Sequence, residues 1–203
     1  MEFGQFIGTF ILGRLFSPVY KKAAENMCQE CEPFIEKGSK ILDLGCGRGI
    51  TAETLRDYFQ ADVFGVDIED QRVVEIPFQI IDGKNLPFTD NSFDLVLISY
   101  VLHHAENPRA LLVEARRVAK DKIIIYEDLE EEGLTKIACW LHKATYKISA
   151  PFQENPIRFY EEKEWEELFN QLGLKVLFKR RKTGRFNWLY PAKNILFILA
   201  KGV

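Results

Sequence analysis

The segment of residues 41–49, with the sequence ILDLGCGRG, constrains the fold of this 203-residue chain more than any other. An apolar run of strand length leads into three glycines spaced G-x-G-x-G, and residues 50–59 then carry apolar side chains at helical spacing. A strand that runs through a glycine loop into a helix is typical of doubly wound α/β sheets, which bind ligands beyond the carboxyl ends of their strands. Glycine allows the backbone of such a loop to approach a ligand closely.

The rest of the chain continues this alternation and predicts a Rossmann-like α/β fold. Short β-branched runs between helical patterns indicate a mostly parallel sheet with helices on both faces. The connection 182–192 is too short for a helical crossover, so the last two strands should form an antiparallel pair. The seven predicted strands are residues 40–44, 62–68, 78–81, 94–99, 122–126, 174–181 and 194–200. The predicted helices are residues 50–59, 108–118, 134–149 and 161–172.

One connection fits this pattern poorly. Only residues 69–77 join the second and third predicted strands, whereas a parallel crossover usually needs about a dozen residues. We expect a single turn of helix there.

Composition and charge limit the classes of protein to consider. The chain is 47% hydrophobic and 28% charged, as in ordinary soluble domains, and its net charge of -3 provides no global attraction to nucleic acid. Cys28 and Cys31 form a single C-x-x-C that lacks a second cysteine or histidine pair, so a zinc site and a disulfide framework are both disfavoured. We therefore expect free thiols, no metal and a cytoplasmic protein.

Acidic residues end or follow three successive predicted strands. Asp43 precedes the glycine loop, where a carboxylate suits a cationic ligand better than a pyrophosphate. Asp67 can accept both hydroxyls of a ribose while Ile68 presents an apolar face to an adenine ring. Asp82 can accept a hydrogen bond from an adenine amino group, although each of these carboxylates could instead cap a turn. The constellation indicates an adenosine ligand with a positively charged group.

Four segments resemble successive motifs of class I S-adenosylmethionine-dependent methyltransferases. They are ILDLGCGRG, FGVDI, IIDGKNLPFTDNSFDLVLISYVLHH and ENPRALLVEARRVAK, and they resemble the small-molecule branch that includes the ubiquinone and menaquinone biosynthesis methyltransferases. The resemblance covers about residues 38–128. RFYEEKEWEELFNQLGL is similar to the helix before the terminal hairpin of that family. The chain departs from the family at residues 119–122, where AKDK stands in place of Lys-Pro-Gly-Gly, and in its short second crossover.

The resemblance implies S-adenosyl-L-methionine as cofactor, S-adenosyl-L-homocysteine as product and no metal. The positions that match the cofactor-binding motifs are Asp43, Gly45, Cys46 and Gly47 for the methionine moiety, Asp67 and Ile68 for ribose and adenine, Asp82 and Gly83 for the adenine edge, and Ser99 and Tyr100 beside the sulfonium.

Two adjacent histidines, His103 and His104, follow the fourth predicted strand in a chain with three histidines. A histidine can take a proton from a hydroxyl or amine nucleophile near neutral pH. One of the pair could instead fix the start of the next helix, and we favour a structural or cofactor-related role. His104, together with Tyr100, is the candidate for a catalytic role.

We expect one domain with four parts. Residues 1–37 form an N-terminal helical lid, 38–128 the cofactor-binding core, 129–160 a helical insertion near the acceptor pocket, and 161–203 the last helix and terminal hairpin. Residues 3–16 are apolar at helical spacing but shorter than the about 20 residues that span a bilayer, so they should cover a pocket. Peripheral membrane contact by this helix or by the basic, aromatic hairpin is the alternative. The aromatic residues expected to shape the acceptor pocket are Trp140, Tyr146, Phe152 and Phe159.

The function predicted from these features is methyl transfer to a small apolar or amphipathic acceptor. Amino-directed nucleic-acid methyltransferases carry Asn/Asp-Pro-Pro-aromatic after the fourth strand, where this chain has SYVL at residues 99–102. No added carboxylates suggest a metal-dependent catechol type. A non-catalytic protein that binds S-adenosylmethionine or S-adenosylhomocysteine has the same fold and remains the alternative, and a nicotinamide oxidoreductase is a further rival.

Overall fold

The computed structural model describes residues 17–129, 139–140, 157–182 and 193–202. Several sequence-based predictions lie outside these residues. They are the helix of residues 3–16, most of the insertion with Tyr146 and Phe152, and the aromatic part of the hairpin connection. In the described part of the chain, no helix has the length and apolar character needed to cross a membrane.

The described residues form one seven-stranded sheet in the order β3-β2-β1-β4-β5-β7-β6. The first five strands in this order are parallel, and β7 is antiparallel to both of its neighbours. The strands are β1 (Lys40–Leu44), β2 (Asp62–Asp67), β3 (Phe78–Ile80), β4 (Phe93–Ser99), β5 (Ala119–Leu129), β6 (Leu174–Lys182) and β7 (Lys193–Lys201). The predicted Rossmann-like sheet with an antiparallel end is confirmed.

Helices cover both faces of this sheet. They are α1 (Ser17–Cys31), α2 (Ile50–Phe59), α3 (Pro108–Val118) and α4 (Glu162–Gln171), with 3₁₀ turns at Glu32–Phe34 and Leu102–His104. One apolar cluster contains Leu112 of α3 and Trp165 of α4, and the other contains Cys28 of α1 and Leu55 of α2. The parallel strands read as continuous apolar runs because side chains are buried on both of their faces.

Local signals set the ends of two helices as the sequence predicts. The Asn107 side chain accepts a hydrogen bond from Ala110 N at 3.0 Å, and Pro108 occupies the first turn of α3. Glu161 caps α4 in a reciprocal capping box with Glu164. Gly173 follows α4 with a φ of +64°, a left-handed conformation that ends the helix and begins the turn into β6.

The helical turn predicted between the second and third strands is wrong, because residues 68–77 contain no helix. The Arg72 side chain organises this connection instead. Its guanidinium lies 4.3 Å from the Phe78 ring centroid, donates to Ile76 O at 2.8 Å and pairs with Asp70 at 2.9 Å. These contacts hold an irregular segment in place without intrahelical hydrogen bonds.

The fifth strand is longer than predicted. β5 begins directly after α3, at the altered turn of residues 119–122, and continues past Tyr126 to Leu129. Glu127 and Asp128, which follow the predicted strand of residues 122–126, are buried within β5. Pairing with the antiparallel β7 accounts for the extension, since Glu127 aligns with Ile195 and Asp128 with Asn194.

Candidate active site

The candidate site lies where the strand order reverses. Leu44 pairs with Val66 of β2 on one side and with Ile98 of β4 on the other, so the strands β1, β2 and β4 end at the same edge. Sheets of this kind leave a crevice beyond the carboxyl ends of the two strands where the order reverses. The structure therefore brings the segments after β1, β2 and β4 together, as the sequence predicts.

The glycine loop after β1 folds back over β2. Gly45 N and Cys46 N both donate to Val66 O, at 2.8 and 3.0 Å. Gly45 has a φ of +79°, and a Cβ at this position would lie 2.3 Å from Val101 Cγ2. A Cβ at Gly47, in contrast, would have no atom of the described residues within 4 Å, so this part of the loop leaves its backbone open to a ligand. This arrangement forms a cradle that a ligand can approach closely.

Asp43 carries a buried oxygen that no described group satisfies. The residue is 1% exposed, and its Oδ2 atom has no hydrogen-bond partner among the described residues. Burial, and secondly the negative charge of Asp67, raise the pKa of Asp43 to about 7. Buried polar atoms are normally paired, so this oxygen is a ready acceptor for a cationic ligand.

Asp67 ties the end of β2 to the glycine loop. Its Oδ2 accepts a hydrogen bond from Gly47 N at 2.8 Å, and its Oδ1 accepts one from Ile68 N at 2.7 Å. Desolvation raises the pKa of Asp67, while these backbone hydrogen bonds oppose the rise. Each carboxylate oxygen keeps a second lone pair that can accept a ribose hydroxyl. Ile68 is 50% exposed, so it presents apolar surface beside this carboxylate.

Asp82 caps its own turn. Its Oδ1 accepts hydrogen bonds from Lys84 N and Asn85 N, both at 2.8 Å, and Oδ2 is 3.3 Å from Asn85 Nδ2. These hydrogen bonds lower the pKa of the Asp82 carboxyl. Gly83 follows with a φ of +73°, and a Cβ there would lie 3.1 Å from Ile68 Cγ2. The turn is thus packed against Ile68, which follows β2, and the contact of Asp82 with adenine stays a prediction.

Ser99 and Tyr100 lie at the carboxyl end of β4. Ser99 is the last residue of the strand, and Tyr100 turns the chain with a φ of +58°. Its backbone N–H donates to Tyr126 O at 2.8 Å, and its hydroxyl accepts from Asn194 Nδ2 at 2.8 Å. Burial raises the pKa of the Tyr100 phenol above its usual range. The phenol is therefore neutral near pH 7 and is better suited to hydrogen bonding than to acting as a base.

The two adjacent histidines have different environments. His103 is 2% exposed, and its Nδ1 lies 2.6 Å from Glu127 Oε2. His104, the predicted candidate, is half-buried, with its ring centroid 4.2 Å from that of His103. Sequence reasoning missed Glu127. The sequence signal that could have identified it is the apolar run of residues 123–126, because a strand formed by this run can continue into Glu127.

Two of the residues predicted for the acceptor pocket are described. Phe159 is buried, and its ring stacks on His103 with centroids 4.9 Å apart. Arg158 N also donates to His103 O at 3.0 Å, so this segment packs against the loop after β4. Trp140 is 64% exposed. The structure therefore connects Phe159 to the candidate site and places Trp140 at the surface.

The cysteines are free and buried, as expected for Cys28, Cys31, Cys46 and Cys139. Burial raises the pKa of the Cys28 thiol to about 12. Cys31 Sγ lies 3.3 Å from Tyr126 Oη on the opposite face of the sheet from Glu127. Within the described ranges, no group of three or more histidine, cysteine or acidic residues is arranged to hold a metal ion.

Sequence comparison assigns the family. Residues 42–126 match the family model described as methyltransferase domain. An uncharacterized protein of Methanocaldococcus jannaschii is 31% identical over 163 residues, which make up 77% of this chain and 72% of that protein. The chain belongs to the class I S-adenosylmethionine-dependent methyltransferase family.

Two other relatives have more specific names. Human mitochondrial arginine-hydroxylase NDUFAF5 is 31% identical over 144 residues, which cover 67% of this chain and 42% of the relative. Demethylmenaquinone methyltransferase of Corynebacterium urealyticum is 40% identical over 87 residues, which cover 41% of this chain and 38% of the relative. The chain thus spans about two fifths of the length of these two relatives.

Solved structures share the fold at low identity. A chain of the complex between the Haloferax volcanii Trm112 methyltransferase activator and a methyltransferase has a TM-score of 0.69 and 20% identity, covering 84% of this chain and 85% of its own. Magnesium protoporphyrin IX methyltransferase of Synechocystis with bound SAH has a TM-score of 0.66 at 17% identity, covering 100% and 89%. The cyclase SpnF has a TM-score of 0.69 at 15% identity, covering 90% and 81%. These likenesses concern the fold alone.

Proposed function

We propose that the protein binds S-adenosyl-L-methionine in the crevice beyond β1, β2 and β4 and transfers its methyl group to a small acceptor. The observation that carries this proposal is the buried Asp43 oxygen beside a glycine cradle. The methionine end of the cofactor carries an ammonium, which can satisfy such an oxygen. The residues present therefore fit the cofactor.

Each segment has a distinct part in this proposal. The Asp43 carboxylate and the loop of Gly45, Cys46 and Gly47 hold the methionine moiety. The remaining assignments are those that the family resemblance implies. They are Asp67 and Ile68 for ribose and adenine, Asp82 and Gly83 for the adenine edge, and Ser99 and Tyr100 beside the sulfonium.

The bound cofactor supplies an electrophilic methyl group, so the chain has mainly to align the acceptor with it. Correct alignment alone can supply roughly 7–11 kcal/mol of the barrier in favourable cases. Burial at the site excludes water and keeps a neutral nucleophile reactive. His104 is our candidate to accept a proton from a hydroxyl or amine acceptor. The neutral Tyr100 phenol borders the transfer path as a hydrogen-bonding group.

The acceptor is proposed to be a small apolar or amphipathic molecule. An aromatic ring supports this class, since Phe159 stacks on His103, the neighbour of His104 in the chain. The name of the demethylmenaquinone methyltransferase relative is consistent with such an acceptor. If a Trp140→Ala variant binds the acceptor with unchanged affinity, Trp140 does not line the acceptor pocket.

A second candidate is a protein of this fold that binds the cofactor without transferring methyl. The names of two similar proteins support this second candidate, because one is named a hydroxylase and another a cyclase. In that case the same crevice would hold S-adenosylmethionine or S-adenosylhomocysteine as a bound group.

Calorimetry and a transfer assay test these candidates. The purified protein is titrated with S-adenosylmethionine, S-adenosylhomocysteine and NAD, and then supplied with methyl-labelled cofactor and a panel of quinols, phenols and amines. We expect binding of the first two ligands and label in one acceptor class. Cofactor binding without transfer to any acceptor favours the second candidate, and tight NAD binding alone contradicts both.

A further inference from the structure

Glu127 is a fully buried carboxylate that the proposed cofactor site does not use. It lies in β5, next to the end of β4, at 0% exposure. Its Oε1 accepts hydrogen bonds from Val101 N at 3.1 Å and Leu102 N at 2.7 Å, and its Oε2 lies 2.6 Å from His103 Nδ1. Three contacts thus join one side chain of β5 to three consecutive residues after β4.

The chemistry of these contacts defines the state of the His103 ring. An ionised Glu127 accepts hydrogen bonds and cannot donate them, and the proton in the third contact then lies on His103 Nδ1. In a neutral imidazole Nε2 is then the acceptor atom. Carboxylate–histidine pairs fix the tautomer and orientation of an imidazole in this way.

Capping alone does not explain a carboxylate here. Val101 N and Leu102 N precede or begin the 3₁₀ turn Leu102–His104, where backbone donors lack partners within the turn. Neutral Asn or Ser side chains satisfy such donors equally well, and burying a carboxylate costs several kcal/mol unless it is well paired. The additional effect of Glu127 is its control of the His103 imidazole.

The fixed His103 ring contacts residues on the proposed acceptor side. Its ring contacts two others, with centroids 4.2 Å from His104 and 4.9 Å from Phe159. Its carbonyl accepts a hydrogen bond from Arg158 N at 3.0 Å. The position of the half-buried His104 ring therefore depends on a fixed His103 ring behind it.

We propose that Glu127 and His103 are positioning residues, a buried carboxylate–imidazole pair that fixes His103 in its Nδ1–H tautomer and thereby holds the His104 ring at the acceptor side. This inference deepens the proposed methyl transfer and rests on it. Neither residue is among those assigned to the cofactor, so their loss should lower kcat and leave cofactor affinity intact.

The first test is the tautomer of His103 in a Glu127→Gln variant. The amide oxygen can still accept from the two backbone donors, but the amide NH₂ then faces Nδ1 and requires the Nε2–H tautomer. Nitrogen-15 NMR of histidine-labelled full-length protein measures this, and a His103→Asn variant assigns the signals among the three histidines. We expect protonated Nδ1 in the wild type and protonated Nε2 in Glu127→Gln. A wild-type Nε2–H tautomer, or the same tautomer in both proteins, overturns the proposal.

The second test separates kcat from cofactor binding. We expect Glu127→Gln and His103→Asn each to lower kcat by about tenfold or more, with the Kd for S-adenosylhomocysteine changed by less than about twofold. Asp94→Asn is the matched control, because Asp94 also accepts a backbone hydrogen bond, from Lys40 N at 2.8 Å, at the opposite edge of the sheet. Its kcat should equal that of the wild type.

The outcomes distinguish this proposal from the proposed function. If Glu127→Gln does not fold, His103→Asn decides, since its amide can keep the contact with Glu127 while removing the ring. Wild-type kcat in a folded variant overturns the positioning role. If the wild-type protein methylates no acceptor, the proposed function fails, and the tautomer measurement still decides whether the pair is built as described.

Discussion

The Asp67 carboxylate accepts a hydrogen bond from Gly47 N, 2.8 Å away, and so joins the end of β2 to the glycine loop that follows β1. One side chain therefore has two tasks in the proposed site. It fixes the loop that holds the methionine moiety, and it offers its remaining lone pairs to the ribose. Parallel pairing of β1 and β2, with Asp43 opposite Gly65, brings these two groups together.

Asp67→Asn should weaken S-adenosylhomocysteine binding by about tenfold or more, a loss of about 1.4 kcal/mol. One of the two backbone donors, at Gly47 and Ile68, would face an amide NH₂ in place of a carboxylate oxygen. Calorimetry measures the affinity, and faster hydrogen exchange at Gly47 N should accompany the loss. Asp57→Asn, at an exposed carboxylate on α2, is the control and should bind normally. Equal affinities of the two variants would contradict the assignment.

Asp43 should make the cofactor-free protein less stable as the pH rises. Its folded pKa of about 7 lies above the ordinary aspartate pKa of 3.8, so between these values the folded state retains a proton that the unfolded state releases. The free energy of unfolding therefore falls over this window and does not fall further above it. Asp43→Asn removes this dependence and should raise the free energy of unfolding at pH 8 by about 2–4 kcal/mol. Urea denaturation at pH 5 and pH 8 measures the difference, and a pH-independent wild type would contradict it.

The same carboxyl should make cofactor affinity depend on pH with the opposite sign. The proposed ammonium contact needs the Asp43 anion, so S-adenosylhomocysteine should bind more tightly as the pH rises from 6 to 8 through the pKa of about 7. Asp43→Asn should bind more weakly than the wild type at pH 8 and with little change across this range. Calorimetry in buffers of different protonation enthalpy should also detect proton release on binding to the wild type. If binding to the wild type releases no proton, Asp43 does not contact the ligand.

The sheet and the edge that carries the site were predictable because periodicity determines them. Apolar runs such as residues 95–98 have no solvated face, which identifies buried parallel strands. Asn107 followed by Pro108 marks a helix start through local chemistry alone. Asp43 and Asp67 were found because their place at strand ends follows directly from the strand assignment.

The features that were missed depend on partners distant in sequence. Glu127 looks solvated in a run of acidic residues, and its burial becomes understandable only with His103 Nδ1 beside it. The choice between His103 and His104 depends on how the 3₁₀ turn rotates two adjacent side chains. Arg72 replaces a helical turn because its guanidinium meets Phe78, a contact that no local spacing predicts.

Gly45→Ala should disrupt the loop more than left-handed strain alone would. At a φ of +79°, an alanine costs about 1–2 kcal/mol, and the contact of its Cβ with Val101 Cγ2 at 2.3 Å adds about 1–3 kcal/mol. Gly38→Ala is the matched control, with a φ of +77° and, in the part of the chain that the structure describes, no atom within 4 Å of the added Cβ. In urea denaturation we expect Gly38→Ala to lose only the about 1–2 kcal/mol that a left-handed alanine costs. This variant should bind cofactor normally. Similar losses in both variants would contradict the close approach at Gly45.

Arg117 on α3 donates hydrogen bonds to the loop between β3 and β4 and holds it in place. Its guanidinium uses all three nitrogens and is largely shielded from solvent at 29% side-chain exposure. The pKa of Arg117 is raised by its hydrogen bonds to Glu114 and Asp90. The partners, at 2.7–2.9 Å, are Leu86 O, Phe88 O, Asp90 Oδ1 and both carboxylate oxygens of Glu114.

Arg117→Lys should therefore be costly even though the charge is kept. A lysine ammonium is a point donor and cannot reproduce the planar fork that reaches backbone and carboxylates together. We expect a loss of about 1–3 kcal/mol in the free energy of unfolding, because the partly buried acceptors Leu86 O and Phe88 O are left unpaired, and faster hydrogen exchange in residues 81–92. Arg109→Lys on the same helix is the control, since Arg109 makes a single exposed contact with Gln171, and it should change stability by less than about 0.5 kcal/mol. If both variants lose the same amount, the fork does not hold the loop.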